Sequence, residues 1–484
     1  MQSLEILPKF LLNIAHDIHE LGGESHLVGG WVRDHILGVD SKDYDVEVSG
    51  LEEEVLLAIL NRYGKASSVG KSFGVYLMRH LDVQYDFSFP RTEVKIGDGH
   101  RGFEIQSDPF LDFVTASQRR DFTINAMGFN LVTGQIVDPQ KGQQDLDNRL
   151  LKHVGPAFGE DPLRALRAIQ FASRFDLTVP QATVDICAEQ DLSELSTERF
   201  EEEFKKLLLK STHISKGLWL IREMKLLRFF PELESLIPTR DELSKSSAKS
   251  QNPEFELGLQ LNTATLYLDY FDDERDQLVF MYTLLGLDLD DAVMDSFLAR
   301  FTNDIKLIKR VQARRRAWFR YRNDVVQLRD SDDMSHDLSE ISQMSQILPG
   351  VIRRIALDCP IQEFALILWI KSLKLDLKGR KEFDGLGQSR SIWKTTLLSN
   401  PQPTDLDQIQ FTSDIIGLVH SAKNWGVFDE APTAWYQGRD LISLGYTPGP
   451  QFGPALKACF EMQMDEAFED KDTALLWLKN AMSK

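Results

Sequence analysis

Cysteine is nearly absent from this chain: three residues in 484, Cys187, Cys359 and Cys459, lie far apart and in no CxxC pair. That spacing excludes a disulfide framework and a zinc module, and a reducing compartment, the cytoplasm, is expected. Long apolar runs are missing too. The longest, Phe364–Ile370, falls far short of the roughly 20 residues that cross a bilayer. The opening MQSLEILPKF lacks the basic-then-apolar pattern of a signal peptide, so a soluble protein with no membrane partner is expected. Positive charge is in deficit: 55 Lys+Arg against 74 Asp+Glu leave a net −19. A uniformly basic nucleic-acid coat is thereby excluded, and a nucleic-acid partner would need a local basic face. No internal repeat recurs at a fixed period.

What is present is ordinary for a folded protein, 42% hydrophobic and 27% charged. The length predicts roughly two to four domains. The expected fold class is α+β. A head over residues 1–150 alternates short strands (His26–Val28, Tyr44–Val48, Val75–Met78, Val83–Phe89, Ile136–Pro139) with helices (Trp31–Leu37, Glu52–Asn61). From about Leu150 the period becomes helical and stays so. A neck is expected over 151–237, including a helix Thr197–Leu209 capped by Thr197. A polar linker or exposed loop over 238–253, a helical body over 254–385 and a helical tail over 386–484 follow. Two further polar or Pro-rich stretches stand at Asp330–Ser345 and Ser399–Asp407.

The head carries the residues suited to chemistry. Asp43 and Asp45 flank Tyr44 on a strand, so both carboxylates face one side of the sheet. Two such charges repel unless a cation lies between them, and oxygen ligands favour Mg²⁺ or Mn²⁺. Alone, the pattern also fits a solvated strand face. Upstream, Gly29-Gly30 ends a strand and opens a helix, letting backbone N–H groups approach an anion, with Arg33 on the first helical turn. Asp86, between Tyr85 and Phe87 on a neighbouring strand, offers a third carboxylate. Three carboxylates converging on two metals suit in-line nucleotidyl transfer. Arg119 and Arg120 are adjacent and cannot face one way, so one can serve phosphate or ribose and the other an ion pair, with Asp121 holding an arginine. Asp161 and Arg164, three apart at the start of a helix, present an acceptor and a donor to the Watson–Crick edge of a base. The plainer alternative is an i,i+3 salt bridge.

GGWVRD (Gly29–Asp34), DYD (Asp43–Asp45), RRDFTINAM (Arg119–Met127) and EDPLRALRA (Glu160–Ala168), in this order and spacing, resemble the class II tRNA nucleotidyltransferase/poly(A) polymerase family, that is, CCA-adding enzymes and their relatives. The resemblance covers about residues 24–235 and takes in Pro90–Glu104, Ile136–Arg164 and Glu198–Leu208. A second similarity, to the tail of bacterial CCA enzymes, lies at Gly438–Leu441 with Pro448–Pro450. It implies a nucleotidyltransferase head followed by an all-α neck, body and tail. The resemblance further implies that Asp43 and Asp45 bind catalytic Mg²⁺ and that Gly30 and Arg33 meet the triphosphate; Asp86 as a third catalytic carboxylate and Gly29 as a nucleotide contact are expected from the residue pattern itself. Arg120 would bind ribose or phosphate. Asp161 and Arg164 would act as the template that selects CTP and then ATP, with Arg167 supporting the pocket. Gln170 stands where the family often has a further arginine, and Arg91–Phe110 corresponds to a flexible loop that helps switch specificity. Where some relatives carry the His-Asp pair of a phosphohydrolase, Leu278–Asp291 has no histidine, so no such activity is expected.

The sharpest basic run, Lys306–Arg322, interleaves Lys309, Arg310, Arg314 and Arg315 with Trp318, Phe319 and Tyr321. It suits RNA phosphate contact and stacking, or else aromatics in a core beneath a solvated face. Lys205, Lys206 and Lys210 would extend the basic surface. The expected activity is addition of CCA to tRNA 3′ ends from CTP and ATP. CC-only or A-only addition, poly(A) synthesis, and a catalytically silent RNA-binding protein are the alternatives.

Overall fold

The structure is a computed structural model that describes residues 4–68, 74–95, 103–193, 195–245, 255–330, 349–372 and 413–482. It divides into two compact units, one of residues 1–207 and 216–231, the other of residues 208–215 and 232–484. The division expected near residue 150 lies inside the first unit.

The first unit is built on a seven-stranded sheet of order β3-β4-β5-β2-β1-β8-β9. The strands are β1 (Glu24–Val28), β2 (Tyr44–Ser49), β3 (Ser67–Ser68), β4 (Val75–His80), β5 (Val83–Ser88), β8 (Gly128–Asn130) and β9 (Ile136–Val137). Alternation decides its two faces. Leu27, Val46, Val48, Tyr85, Phe87 and Phe129 point into one core. There they meet Leu11, Ile14 and Ile18 of α1 (Lys9–Glu20) and Leu56, Ile59 and Leu60 of α3 (Glu53–Tyr63). Each such side chain contributes about 1.5–3 kcal/mol on burial. The alternate positions, Asp45, Glu47 and Asp86, are thereby turned to the other face. Between β1 and β2 stands α2 (Gly30–Ile36). β2 and β5 pair in parallel, whereas β1 is antiparallel to β2 and to β8.

β6 (Arg91–Lys95) and β7 (Phe103–Ser107) pair antiparallel as a separate two-stranded ribbon. The segment expected as a flexible loop therefore has regular arms, and its centre, 96–102, lies outside the described residues. The rest of the unit is helical: α4 (Phe113–Ser117), α5 (Gly142–Asp147), α6 (Leu163–Phe175), α7 (Gln181–Ala188), α8 (Thr197–Lys210) and α9 (Ile214–Glu223). Thr197 is the first helical residue of α8 rather than its cap.

In the second unit α10 (Arg240–Lys245) occupies the start of the expected linker, and 246–254 lie outside the described residues. Then come α11 (Glu256–Ala264), α12 (Glu274–Gly286), α13 (Asp291–Phe301), α14 (Ile305–Asp330), α15 (Pro349–Asp358) and α16 (Ile361–Ser372). Helices Ser413–Asn424, Gly438–Ser443, Phe452–Met464 and Lys471–Met482 follow. Residues 331–348 and 373–412, which include nearly all of Asp330–Ser345 and the whole of Ser399–Asp407, lie outside the described residues. The apolar run Phe364–Ile370 is a stretch of α16 buried on all sides, which is why it lacks a polar stripe. Among the described residues no helix is long and apolar enough to cross a membrane.

Candidate active site

Gly29 turns the chain from β1 directly into α2 with φ +68° and ψ −126°, a conformation in practice reserved to glycine. A Cβ built there would lie 3.9 Å from Arg120 Nη1, so the turn and the arginine are neighbours. Gly29→Ala is expected to lower stability by about 1–3 kcal/mol, read from the urea midpoint. An unchanged midpoint would show that the turn tolerates a side chain.

The parallel register of β2 and β5 sets Asp45 directly beside Asp86, and Asp43 stands one residue ahead of β2. Asp43 and Asp45 reach solvent, while Asp86 is half-buried and accepts a 2.9 Å hydrogen bond from Gln84 Nε2. Partial burial, then the charges of Asp86 and Asp43, push the Asp45 carboxyl above its ordinary range, and Arg120 pulls the other way. Among the described residues no three His, Cys, Asp or Glu side chains are drawn into a closed ligand set. The electrostatics nonetheless fit a cation. The crowding of charge that pushes Asp45 up is relieved equally by a divalent ion, and an all-oxygen donor set fits a hard one.

The two arginines of the head expected to bind nucleotide have opposite environments. Arg33 is 4% exposed. Its Nε and Nη2 donate to Asp34 Oδ1 at 2.8 and 2.6 Å, its Nη1 donates to Asn125 Oδ1 at 2.8 Å, and its guanidinium lies 4.3 Å from the Phe175 ring centroid. Arg33 is thus held by its own helix and by Asn125, with Nη2 still 3.5 Å from the place a Gly30 side chain would fill. Arg120 also reaches the glycine turn, donating from Nη2 to Glu47 Oε2 at 2.8 Å. Its neighbour Arg119 faces away to Glu160 at 2.6 Å, as adjacent side chains must. Asp121 holds Arg167, accepting at Oδ2 from its Nε and Nη2 at 2.7 and 2.6 Å.

At the start of α6 the expected pair is arranged differently from either sequence alternative. Asp161 and Arg164 do not form an i,i+3 bridge. Arg164, buried, donates from Nη1 to the Ala157 carbonyl at 2.7 Å and from Nη2 to the Arg119 carbonyl at 2.8 Å. Asp161 accepts the backbone N–H of Leu163 at 3.0 Å and pairs with Arg199 Nη2 of α8 at 3.1 Å. Arg199 escaped the sequence reading, although it sits in the Glu198–Leu208 motif. Gln170 is buried with its Nε2 unpartnered.

In the second unit α14 departs from the expected basic surface. Arg314 is buried in a two-point pair with Glu363 of α16, at 3.0 and 2.8 Å. Arg315, 1% exposed, donates to the Leu289 carbonyl and Asp291. Arg310 pairs with Asp276 of α12. Tyr321 packs edge-on against Phe364, with centroids 5.8 Å apart. Burial puts Arg314 and Arg315 out of reach of RNA, because each is matched by an acid or a carbonyl on another part of the bundle. Of the four cations proposed from the sequence, Lys309 alone is exposed and Arg310 is half-buried. Lys206, on α8, is paired with Glu203 at 3.0 Å.

Residues 25–152 match the family model described as the poly A polymerase head domain. A relative from Stenotrophomonas maltophilia described as multifunctional CCA protein is 40% identical over 227 residues, 45% of this chain and 54% of that protein. One of the same description from Chromobacterium violaceum is 34% identical over 276 residues, 56% of this chain and 63% of that protein. The chain thus spans about half the length of the curated relatives it matches. The fold is similar to the Bacillus stearothermophilus CCA-adding enzyme in complex with CTP, with a TM-score of 0.59 at 20% identity over 98% of this chain and 96% of that one. It is also similar to the Thermotoga maritima CCA-adding enzyme complexed with tRNA, with a TM-score of 0.53 at 18% identity over 99% and 95%.

Proposed function

We propose that this chain, whose residues 25–152 match the poly A polymerase head domain, is a nucleotidyltransferase of the CCA-adding and poly(A) polymerase family and that it adds C, C and A to tRNA 3′ ends using CTP and ATP. The observation that carries the reading is the register that sets Asp45 beside Asp86 with Asp43 two residues upstream, on the strand paired with β1, which ends in the arginine-flanked glycine turn. Family membership implies a divalent metal in general. Mg²⁺ on Asp43 and Asp45, with Asp86 adjoining and Mn²⁺ as its substitute, is the specific form proposed. A bound divalent cation supplies charge neutralisation at the attacking hydroxyl and at the departing pyrophosphate.

The chain's own residues supply orientation. Arg120 and the backbone of Gly29 and Gly30 take the triphosphate, so that the terminal 3′-hydroxyl of the RNA meets the α-phosphorus opposite the leaving group. The new O–P bond forms as the bond to pyrophosphate breaks. Asp161 and Arg164 face the base. Cytosine and adenine both present an exocyclic amino donor, which a carboxylate accepts, where uracil and guanine present a carbonyl at the corresponding place. Arg164 is fixed by two backbone carbonyls and Arg167 by Asp121, so the base meets a preorganised edge. The exposed Lys306, Lys309 and Arg322 of α14 are proposed to meet tRNA phosphates, a contact with shape rather than sequence.

The test is extension of tRNA transcripts ending at the discriminator base, at C and at CC, each with CTP, ATP or both, and Mg²⁺. Completion of CCA from every start, followed by arrest, is the expected result. Arrest after CC, or extension of the CC transcript alone, would divide the task between enzymes. A long A ladder would move the activity to poly(A) synthesis, and no extension would leave an RNA-binding protein.

A further inference from the structure

Glu47 lies one alternation beyond Asp45 on β2 and faces the same side of the sheet. It is 9% exposed, an unusual burial for a carboxylate. Its Oε2 accepts from Arg120 Nη2 at 2.8 Å, and its Oε1 is buried with no hydrogen-bond partner. A buried carboxylate with one oxygen unmatched holds its single cation strongly, because letting go would leave the charge uncompensated. The other guanidinium nitrogen, Nη1, is the atom nearest the place a Gly29 side chain would fill. One end of the guanidinium is thus fastened to β2 and the other faces the glycine turn. Arg120 also interacts with the charge of Asp45, so that carboxylate competes for it.

We propose that Glu47 is a positioning residue that aims Arg120 at the Gly29–Gly30 turn and keeps it off Asp43, Asp45 and Asp86, so that the cation meets a polyphosphate. The proposal rests on the nucleotidyltransferase reading above for the identity of its ligand. Because all nucleoside triphosphates share the polyphosphate, Glu47 acts on their affinity and not on the choice of base. Arg33 also comes to this turn, its Nη2 3.5 Å from the place a Gly30 side chain would fill, but it is held there by Asp34 and Asn125 and not by Glu47.

The experiment is a double-mutant cycle of Glu47→Ala and Arg120→Ala in the full chain, with Glu47→Gln as the isosteric variant. Calorimetric binding of inorganic tripolyphosphate in EDTA reads the cation without metal or turnover. Wild type is expected to bind, and Glu47→Ala to bind roughly 10-fold or more weakly. Glu47→Gln should fall between, since its amide oxygen still accepts from the guanidinium but carries no charge. In the Arg120→Ala background, Glu47→Ala should add nothing. Extension assays should show the KM for CTP and for ATP rising together with kcat little changed. Additive losses, a KM change confined to one nucleotide, tripolyphosphate binding unchanged while the melting temperature falls, or no binding by wild type would each overturn the proposal. Should wild type extend no tRNA while the tripolyphosphate cycle is non-additive, the functional reading fails and the role of Glu47 stands.

Discussion

Asp45→Asn is expected to reduce nucleotide transfer by roughly 10³-fold or more while making the metal-free protein more stable. Both effects come from the same charge. Partial burial and the neighbouring carboxylates of Asp86 and Asp43 disfavour ionised Asp45 in the folded protein, so its charge is a stability cost that only a cation or a proton relieves. The isosteric amide removes that cost and removes a ligand with it. Thermal unfolding in EDTA should therefore show the variant melting above wild type at neutral pH, and Mg²⁺ should raise the wild-type melting point by more than that of the variant. Transfer is read in the same extension assay, on a tRNA that the variant still binds. A variant with transfer within tenfold of wild type would remove Asp45 from the cation site, and one that melts lower in EDTA would mean that the carboxylate serves the fold.

The strands of the head were legible because Val46 and Val48, or Tyr85 and Phe87, alternate with charged or polar residues, and that period has one structural meaning. The parallel pairing of β2 with β5 was not. It joins segments about forty residues apart across a helix and two further strands, and nothing local encodes which strand an aspartate will sit beside. Packing explains the different settings of Arg33 and Arg120. Arg33 follows the glycines in sequence and is held by Asn125 and Phe175, far along the chain, whereas Arg120 reaches the same turn only through the fold. Glu47 had a signal that the sequence reading passed over: in DYDVEV a third acid continues the Asp43, Asp45 alternation, so it must share their face. The arginines of α14 carried no such signal, since Asp276, Asp291 and Glu363, which match them, lie on three other helices. Basic density along one helix measures charge, and only packing says whether that charge is available.

Asp121→Ala carries the largest expected loss of stability, about 3–5 kcal/mol for breaking a buried pair, with the lower end favoured because Arg167 retains 31% side-chain exposure and can be rehydrated. Asp121 Oδ1 accepts the Phe122 backbone N–H at 2.7 Å and Asn125 Nδ2 at 3.1 Å, while Oδ2 takes Arg167. Asn125 in turn accepts from Arg33, so one carboxylate ties α2 to α6 through two arginines. Burial alone would favour the neutral acid, but the charge and hydrogen bond of Arg167, with Asn125 and the Phe122 amide, outweigh it and hold the Asp121 carboxyl below its ordinary range. The sign of the pH dependence follows. The unfolded chain takes up this proton near pH ~3.9 and the folded protein only at lower pH, so the contribution of Asp121 is fully present above that value and is lost as pH falls through the folded one. Urea unfolding of wild type and Asp121→Ala should therefore differ most at neutral pH and converge in acid. Asp121→Asn, which keeps an acceptor but not the charge, should fall between them. A gap that persists undiminished in acid would mean that the side chain acts by shape and not as the counter-charge of Arg167.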